Sequence, residues 1–197
     1  MKNKTSLSPS TRIFVCLILL FLTSVAALPQ GDKATDKSPT VLILVRHAEK
    51  KIVPPENKDP DISPAGQARA EEIARMFSDS GIAAIYATQY KRTQQTVKPL
   101  ADKLGLTVTH IEAKQTAELV KQIRAKNTGQ VVFIAGHNNT VPEIIAAMGG
   151  PQMPIIPETE YDNLFILTIQ GDSKATLVKM KYGSAVLAAG NQSMSKP

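Results

Sequence analysis

The stretch TVLILVRH, residues 40–47, begins with an unbroken run of apolar, mostly branched side chains and ends on a cation and a histidine. A strand that is buried on both faces has this kind of continuous apolar sequence. Residues 40–45 therefore predict a central strand of a sheet covered on both sides. Arg46 and His47 follow at once, at the carboxyl end of the strand, where open α/β sheets bind their ligands.

Strand and helix patterns alternate along the chain that follows. Further strands are predicted at residues 83–87, 106–111, 130–135, 164–169 and 175–181. Helices are predicted at residues 64–78, 92–104, 116–126 and 142–148. The last two strands are separated by Gly171-Asp172, a hairpin signal. Strands that alternate with helices through right-handed crossovers predict a three-layer α/β/α sandwich with a mostly parallel central sheet.

The first 27 residues have the pattern of a secretory signal peptide. Lys2, Lys4 and Arg12 precede an uncharged apolar run at residues 13–25, and small residues lead to a predicted cleavage after Ala27. A transmembrane anchor is the alternative, but about 13 apolar residues fall short of the roughly 20 that span a bilayer. We expect export to the periplasm or the medium, with membrane contact only if this segment stays uncleaved.

Cleavage changes what the composition implies. The formal net charge of +6 falls to +3, because residues 1–27 hold three basic and no acidic side chains, so the charge is weak support for nucleic-acid binding. The only cysteine, Cys16, lies inside the apolar run, which excludes a lipoprotein and leaves the mature chain without thiols. Residues 28–39 are predicted as a flexible linker, 40–185 as the folded domain and 186–197 as a C-terminal tail.

Chemically active side chains follow three of the predicted strands. Arg46 and His47 follow the first, Arg92 lies soon after the second, and His137 with Asn138 follows the fourth. Each alone is ordinary, but three strand ends meet at one edge of a parallel sheet. Imidazole is a nucleophile near neutral pH, and guanidinium groups match phosphate oxygens with paired donors. These residues predict a phosphoryl-transfer pocket, without deciding which of the two histidines is the nucleophile.

Four sequence blocks, in this order, resemble the histidine phosphatase superfamily, which includes the cofactor-dependent phosphoglycerate mutases. The blocks are RHAEK at 46–50, SPAGQARAEEIA at 63–74, YATQYKRTQQT at 86–96 and GHNNTVP at 136–142. The resemblance runs from about residue 41 to 182 and implies a phosphoglycerate mutase-like fold.

The resemblance implies a role for each matching residue. His47 corresponds to the histidine that becomes phosphorylated, and Arg46 and Arg92 correspond to the phosphate-binding arginines. His137 corresponds to the second histidine of the pocket, and Asn138 is expected to contact phosphate or to orient the pocket.

The proton donor is the least defined part of the predicted site. Many members of the superfamily use a carboxylic acid after the third strand, and Glu112 is the best match here. Glu118 is expected on a solvated helix face, and Glu49 is expected to be a structural or orienting carboxylate. Without an acid, alkyl phosphates react slowly because an alkoxide is a poor leaving group, whereas phosphohistidine is less demanding.

No metal or cofactor is expected. His110 lies in a predicted strand and is expected to be structural or exposed. A zinc site built from His47, His110 and His137 is disfavoured, because the adjacent arginines would repel a cation.

Two proline-rich loops, residues 51–60 and 150–161, are expected to frame the mouth of the pocket. Neither is long enough for a lid domain, which favours hydrolysis over mutase activity. The expected function is a phosphohydrolase that acts on a phosphorylated small molecule, a cell-surface phosphate or a phosphoprotein. The alternative is a non-catalytic phosphate-binding module of the same fold.

Overall fold

The computed structural model describes residues 38–171 and 175–184. The predicted signal peptide, nearly all of the predicted linker, Asp172 of the predicted turn and the predicted C-terminal tail lie outside the described residues. Within the described ranges, no helix is both long and apolar enough to cross a membrane.

The described residues form six strands and four helices that alternate as predicted. The strands are β1 (Thr40–Arg46), β2 (Ile82–Thr88), β3 (Val108–Ile111), β4 (Val131–Gly136), β5 (Asn163–Ile169) and β6 (Thr176–Lys181). The helices are α1 (Pro64–Phe77), α2 (Lys91–Leu104), α3 (Thr116–Lys126) and α4 (Thr140–Ala147). Helix α4 begins two residues earlier than predicted, because Pro142 lies within its first turn, where a missing N–H costs no helical hydrogen bond.

All six strands belong to one sheet, in the order β3-β2-β4-β1-β5-β6. Strands β3, β2, β4 and β1 run parallel, β5 pairs antiparallel with β1, and β6 pairs antiparallel with β5. The predicted mostly parallel sheet and the terminal hairpin pairing are thus confirmed. The carboxyl ends of β1, β4 and β2 are neighbours, which brings the predicted site residues to one edge.

Helices cover both faces of the sheet, which confirms the three-layer α/β/α sandwich. Helices α1 and α2 pack on one face and α3 and α4 on the other. Strand β1 supplies both layers: Ile43 and Val45 face the first, and Leu42 and Leu44 the second, all buried. Each such side chain contributes roughly 1.5–3 kcal/mol of burial free energy, so β1 is held firmly where its polar end is needed.

The first helix is fitted closely to the segment that follows β1. The Ser63 side chain caps α1 by accepting from the Gly66 N–H at 3.1 Å, and Pro64 opens the helix. A Cβ on Gly66 would lie 2.3 Å from the backbone oxygen of Glu49, so only glycine allows this approach. The helix therefore supports the backbone two residues beyond His47.

Candidate active site

Arg46 ends β1, and only 1% of its side chain is exposed. Nη1 donates to three backbone carbonyls of one loop, those of Pro157 at 2.9 Å, Glu158 at 2.7 Å and Glu160 at 3.1 Å. Nη2 donates to the Glu158 carboxylate at 2.6 Å, and the ring of Tyr161 lies 4.3 Å from the guanidinium carbon. Nε is buried and has no hydrogen-bond partner among the described residues. An unpaired buried donor is costly, so Nε is a candidate donor to a bound anion.

His47 follows Arg46 and is buried, with its ring fixed by one hydrogen bond. Nδ1 lies 2.8 Å from the backbone oxygen of Ala48. Because a carbonyl oxygen can only accept, Nδ1 carries the proton and the neutral ring keeps a lone pair on Nε2. The local backbone thus leaves Nε2 as the ring nitrogen with a free lone pair.

His137 is buried after β4, and its ring contacts a chain of hydroxyl groups. Nε2 lies 2.9 Å from Thr88 Oγ1, which lies 2.8 Å from Thr93 Oγ1. The Thr93 hydroxyl donates to the Tyr90 carbonyl at 2.8 Å, so Thr88 must donate to Thr93 and accept from His137 Nε2. In the neutral ring, Nδ1 is therefore the nitrogen without a proton.

The two imidazole rings lie together, with their centroids 5.4 Å apart. Burial lowers the pKa of His47 to about 3, and the charges of Arg46, His137 and Arg92 act in the same direction, against the Ala48 hydrogen bond. Burial also lowers the pKa of His137 to about 4, with Arg92 and Arg46 contributing. Both histidines are therefore neutral at pH 7 in the absence of an anion.

Arg92 lies in the first turn of α2, with its guanidinium held from two sides. Nη1 lies 3.6 Å from Asp59 Oδ1, and the ring of Tyr90 lies 4.3 Å from the guanidinium carbon. The Asp59 carboxylate also accepts from the Lys91 N–H at 3.0 Å, which fixes its position at the helix start. The Tyr90 ring lies 5.3 Å from the ring of His137, so Arg92 and His137 share one wall of the pocket.

Glu49 forms a buried ion pair on the other side of His47. Arg69 of α1 donates to the Glu49 carboxylate at 2.7 Å from Nη2 and at 2.9 Å from Nε. The same guanidinium donates to the carbonyls of Tyr182 and Ser184, each at 3.0 Å. The Glu49 carboxylate is thus paired with Arg69, and its structural or orienting role stays a prediction.

Asn138 shares a hydrogen-bond partner with Arg46, whereas Glu112, within the described ranges, does not. Asn138 Nδ2 donates at 2.8 Å to the same Glu158 carboxylate that contacts Arg46. Glu112 is exposed just beyond β3 and lines a small cavity with Thr88. Among the described residues, no hydrogen bond or ion pair joins the Glu112 carboxylate to either histidine or to Arg46.

The two proline-rich loops lie beside the cluster. Their residues and Arg92 line a cleft of about 490 Å³ that includes Tyr161 and three lysines, Lys50, Lys51 and Lys58. A larger groove of about 960 Å³ lies between α1 and α2 and contains none of the predicted site residues. Among the described residues, no three His, Cys, Asp or Glu side chains cluster as metal ligands, and His110 is exposed on β3.

Several residues at the site were missed by sequence reasoning. Glu158 and Tyr161 lie more than 100 positions from Arg46 along the chain, in a loop with no periodic pattern. Asp59 and Thr88 are equally ordinary in sequence. The one usable signal was the proline content of the two loops, which indicated fixed loops but not the side chains that face the pocket.

Two arginines and two neutral histidines lie beyond the carboxyl ends of three neighbouring strands of an α/β/α sandwich, an arrangement suited to binding an anion. The sequence profile of the histidine phosphatase superfamily (branch 1) matches residues 42–115. That range includes Arg46, His47 and Arg92 and ends before His137. Over these residues the chain is similar to the histidine phosphatase superfamily.

Solved structures share the fold at low sequence identity. SixA of Agrobacterium tumefaciens, a candidate phosphohistidine phosphatase, aligns with a TM-score of 0.57 and 24% identity over 74% of this chain and 99% of that chain. The protein histidine phosphatase SixA in complex with tungstate aligns with a TM-score of 0.57 and 14% identity, over 72% and 96%. A mycobacterial glucosyl-3-phosphoglycerate phosphatase aligns with a TM-score of 0.56 and 12% identity, over 71% and 97%. No curated protein sequence matches this chain significantly.

The lowered histidine pKa values predict a specific dependence of stability on pH. Between the folded values of about 3 and 4 and the ordinary value of 6.5, the unfolded chain binds more protons, so the free energy of unfolding rises with pH. We expect stability to fall from about pH 7 to pH 4.5, by up to about 1.4 kcal/mol per pH unit for each histidine.

Urea unfolding across this pH range measures the effect. His47→Gln and His137→Gln should each flatten the dependence. Parallel curves for wild type and His47→Gln would contradict the inference that the folded chain keeps this ring neutral.

Proposed function

We propose that this protein is a phosphohydrolase that removes a phosphoryl group from a phosphomonoester or a phosphohistidine, through a phosphohistidine intermediate on His47. The observation that carries the proposal is the Nδ1 hydrogen bond of His47 to the Ala48 carbonyl at 2.8 Å. It leaves an unprotonated Nε2 in a buried site beside Arg46. A neutral imidazole next to a guanidinium is suited to attack an anionic phosphoryl group, because the cation offsets the charge of the incoming group.

In the first step, Nε2 of His47 attacks phosphorus, and a P–N bond forms as the P–O or P–N bond to the leaving group breaks. The leaving atom takes up a proton. In the second step, water attacks phosphorus, the P–N bond breaks and inorganic phosphate is released. Arg46 and Arg92 neutralise the equatorial oxygens, and the buried Nε of Arg46 has a donor free among the described contacts.

His137 supports both steps as an adjustable donor. Its Nε2 proton is directed to Thr88, and its neutral state in the anion-free pocket follows from burial and from two cations. A phosphoryl group would reverse the effect of those cations, which favours protonation of Nδ1. The second histidine would then add charge and a donor only while the anion is bound.

The cleft beside the pocket supports an anionic substrate. Lys50, Lys51 and Lys58 line it together with Arg92. We infer that the substrate is a phosphorylated small molecule, a cell-surface phosphate or a phosphoprotein. A non-catalytic phosphate-binding module is the second candidate, motivated by the exposed Glu112, which has no contact to the histidines among the described residues.

The central prediction concerns His47. His47→Ala should lower turnover of p-nitrophenyl phosphate by about 1000-fold or more, because the covalent step is lost. His110→Ala changes an exposed histidine and should retain wild-type turnover. Vanadate should inhibit the wild type, and an acid-labile phosphoprotein should form in the wild type but not in His47→Ala.

Full activity of His47→Ala would exclude the phosphohistidine mechanism. If phosphate binds in calorimetry while no substrate is turned over and no phosphoprotein forms, the binding module is the better description.

A second prediction tests Glu112 as the proton donor. Glu112→Gln should lower kcat on an alkyl phosphate by about 100-fold, and on p-nitrophenyl phosphate much less, because nitrophenolate leaves without a proton. Glu118→Gln, on the exposed face of α3, is the matched control. Equal rates of Glu112→Gln and wild type on the alkyl phosphate would remove Glu112 from the mechanism.

We also infer that the protein is exported and that residues 1–27 are removed. The uncharged apolar run at residues 13–25 and the small residues before Leu28 support this. Expression with the full leader in a bacterial host should give a periplasmic or secreted chain whose first residue is Leu28, give or take a few positions. Recovery of an intact amino terminus in the membrane fraction would favour an anchor instead.

A further inference from the structure

The carboxylate of Glu158 engages two residues that are predicted to bind phosphate. Oε2 accepts from Arg46 Nη2 at 2.6 Å, and Oε1 accepts from Asn138 Nδ2 at 2.8 Å. Carboxylate and phosphate oxygens use the same donors, with guanidinium groups preferring paired contacts to either. An internal carboxylate therefore takes contacts that a phosphoryl oxygen would otherwise make.

The Glu158 carboxylate is held by its contacts with Arg46 and Asn138 and is not itself buried. The Glu158 side chain is 68% exposed, whereas Arg46 is 1% exposed. The loop itself is held by backbone carbonyls, since Pro157, Glu158 and Glu160 all accept from Arg46 Nη1. The side chain can therefore turn into solvent while the loop keeps its backbone contacts to Arg46.

We propose that the Glu158 carboxylate competes with the incoming phosphoryl group for Arg46 and Asn138 and so lowers the anion affinity of the pocket. This inference rests on the proposed function, because it assigns a property to the same phosphate pocket. A ligand that binds these two donors must displace the carboxylate from them.

The test measures binding of inorganic phosphate and of vanadate by calorimetry near neutral pH. Glu158→Gln and Glu158→Ala should bind both anions about tenfold more tightly than the wild type, because a like charge next to the site is removed. Glu143→Gln removes the same charge from an exposed position in the first turn of α4 and should bind them as the wild type does. Circular dichroism establishes that each variant is folded.

Three outcomes decide the proposal. Tighter binding in both Glu158 variants supports it, and the proposal stands even if no substrate is turned over, in which case the proposed hydrolase activity alone fails. Unchanged or weaker anion binding overturns it, since Glu158 would then only support the loop. Tighter binding in Glu158→Ala but not in Glu158→Gln also overturns it, because side-chain volume rather than charge would then set the affinity.

Discussion

Arg46 brings a permanent charge into the interior at the carboxyl end of β1. Removing a guanidinium from water costs several kcal/mol unless its donors are paired. Here the pairing comes from three carbonyls of the loop that precedes β5, from the Glu158 carboxylate and from the face of Tyr161. Arg46, which is proposed to bind the anion, thus also holds the long second loop in place, so one residue affects both the shape of the mouth and the charge of the pocket.

A second buried arginine, Arg69, holds the chain in place on the other side of His47. Arg69 binds Glu49 and the carbonyls of Tyr182 and Ser184, which connects α1, the segment after β1 and the chain beyond β6. His47 lies between these two arginine-held segments, and its ring is fixed by the Ala48 carbonyl. Such a backbone-determined ring orientation needs no third side chain to select the tautomer.

The sequence predicts the features that depend on local pattern. Strand β1 can be predicted from its apolar run because both of its faces are buried. The site residues that can be predicted, because each follows a strand end, are Arg46, His47, Arg92 and His137. The contacts of Glu158 with Arg46 and of Asp59 with Arg92 cannot be predicted in this way, since they join loops across the fold. The tautomers and pKa shifts depend on burial and on charges from distant segments. The roles assigned to the individual site residues, Glu112 above all, stay predictions.

The pocket draws on segments that are distant in the chain, at residues 46–47, 92, 137–138 and 158, and these meet only through the pairing of β1 with β4 and of β4 with β2. A fragment that ends before β4 lacks His137 and Asn138. A partly folded chain does not bring the segments of the site together. Anion affinity is therefore a property of the complete domain. Stoichiometric phosphate binding would therefore show that a preparation is correctly folded, without the need for a catalytic assay.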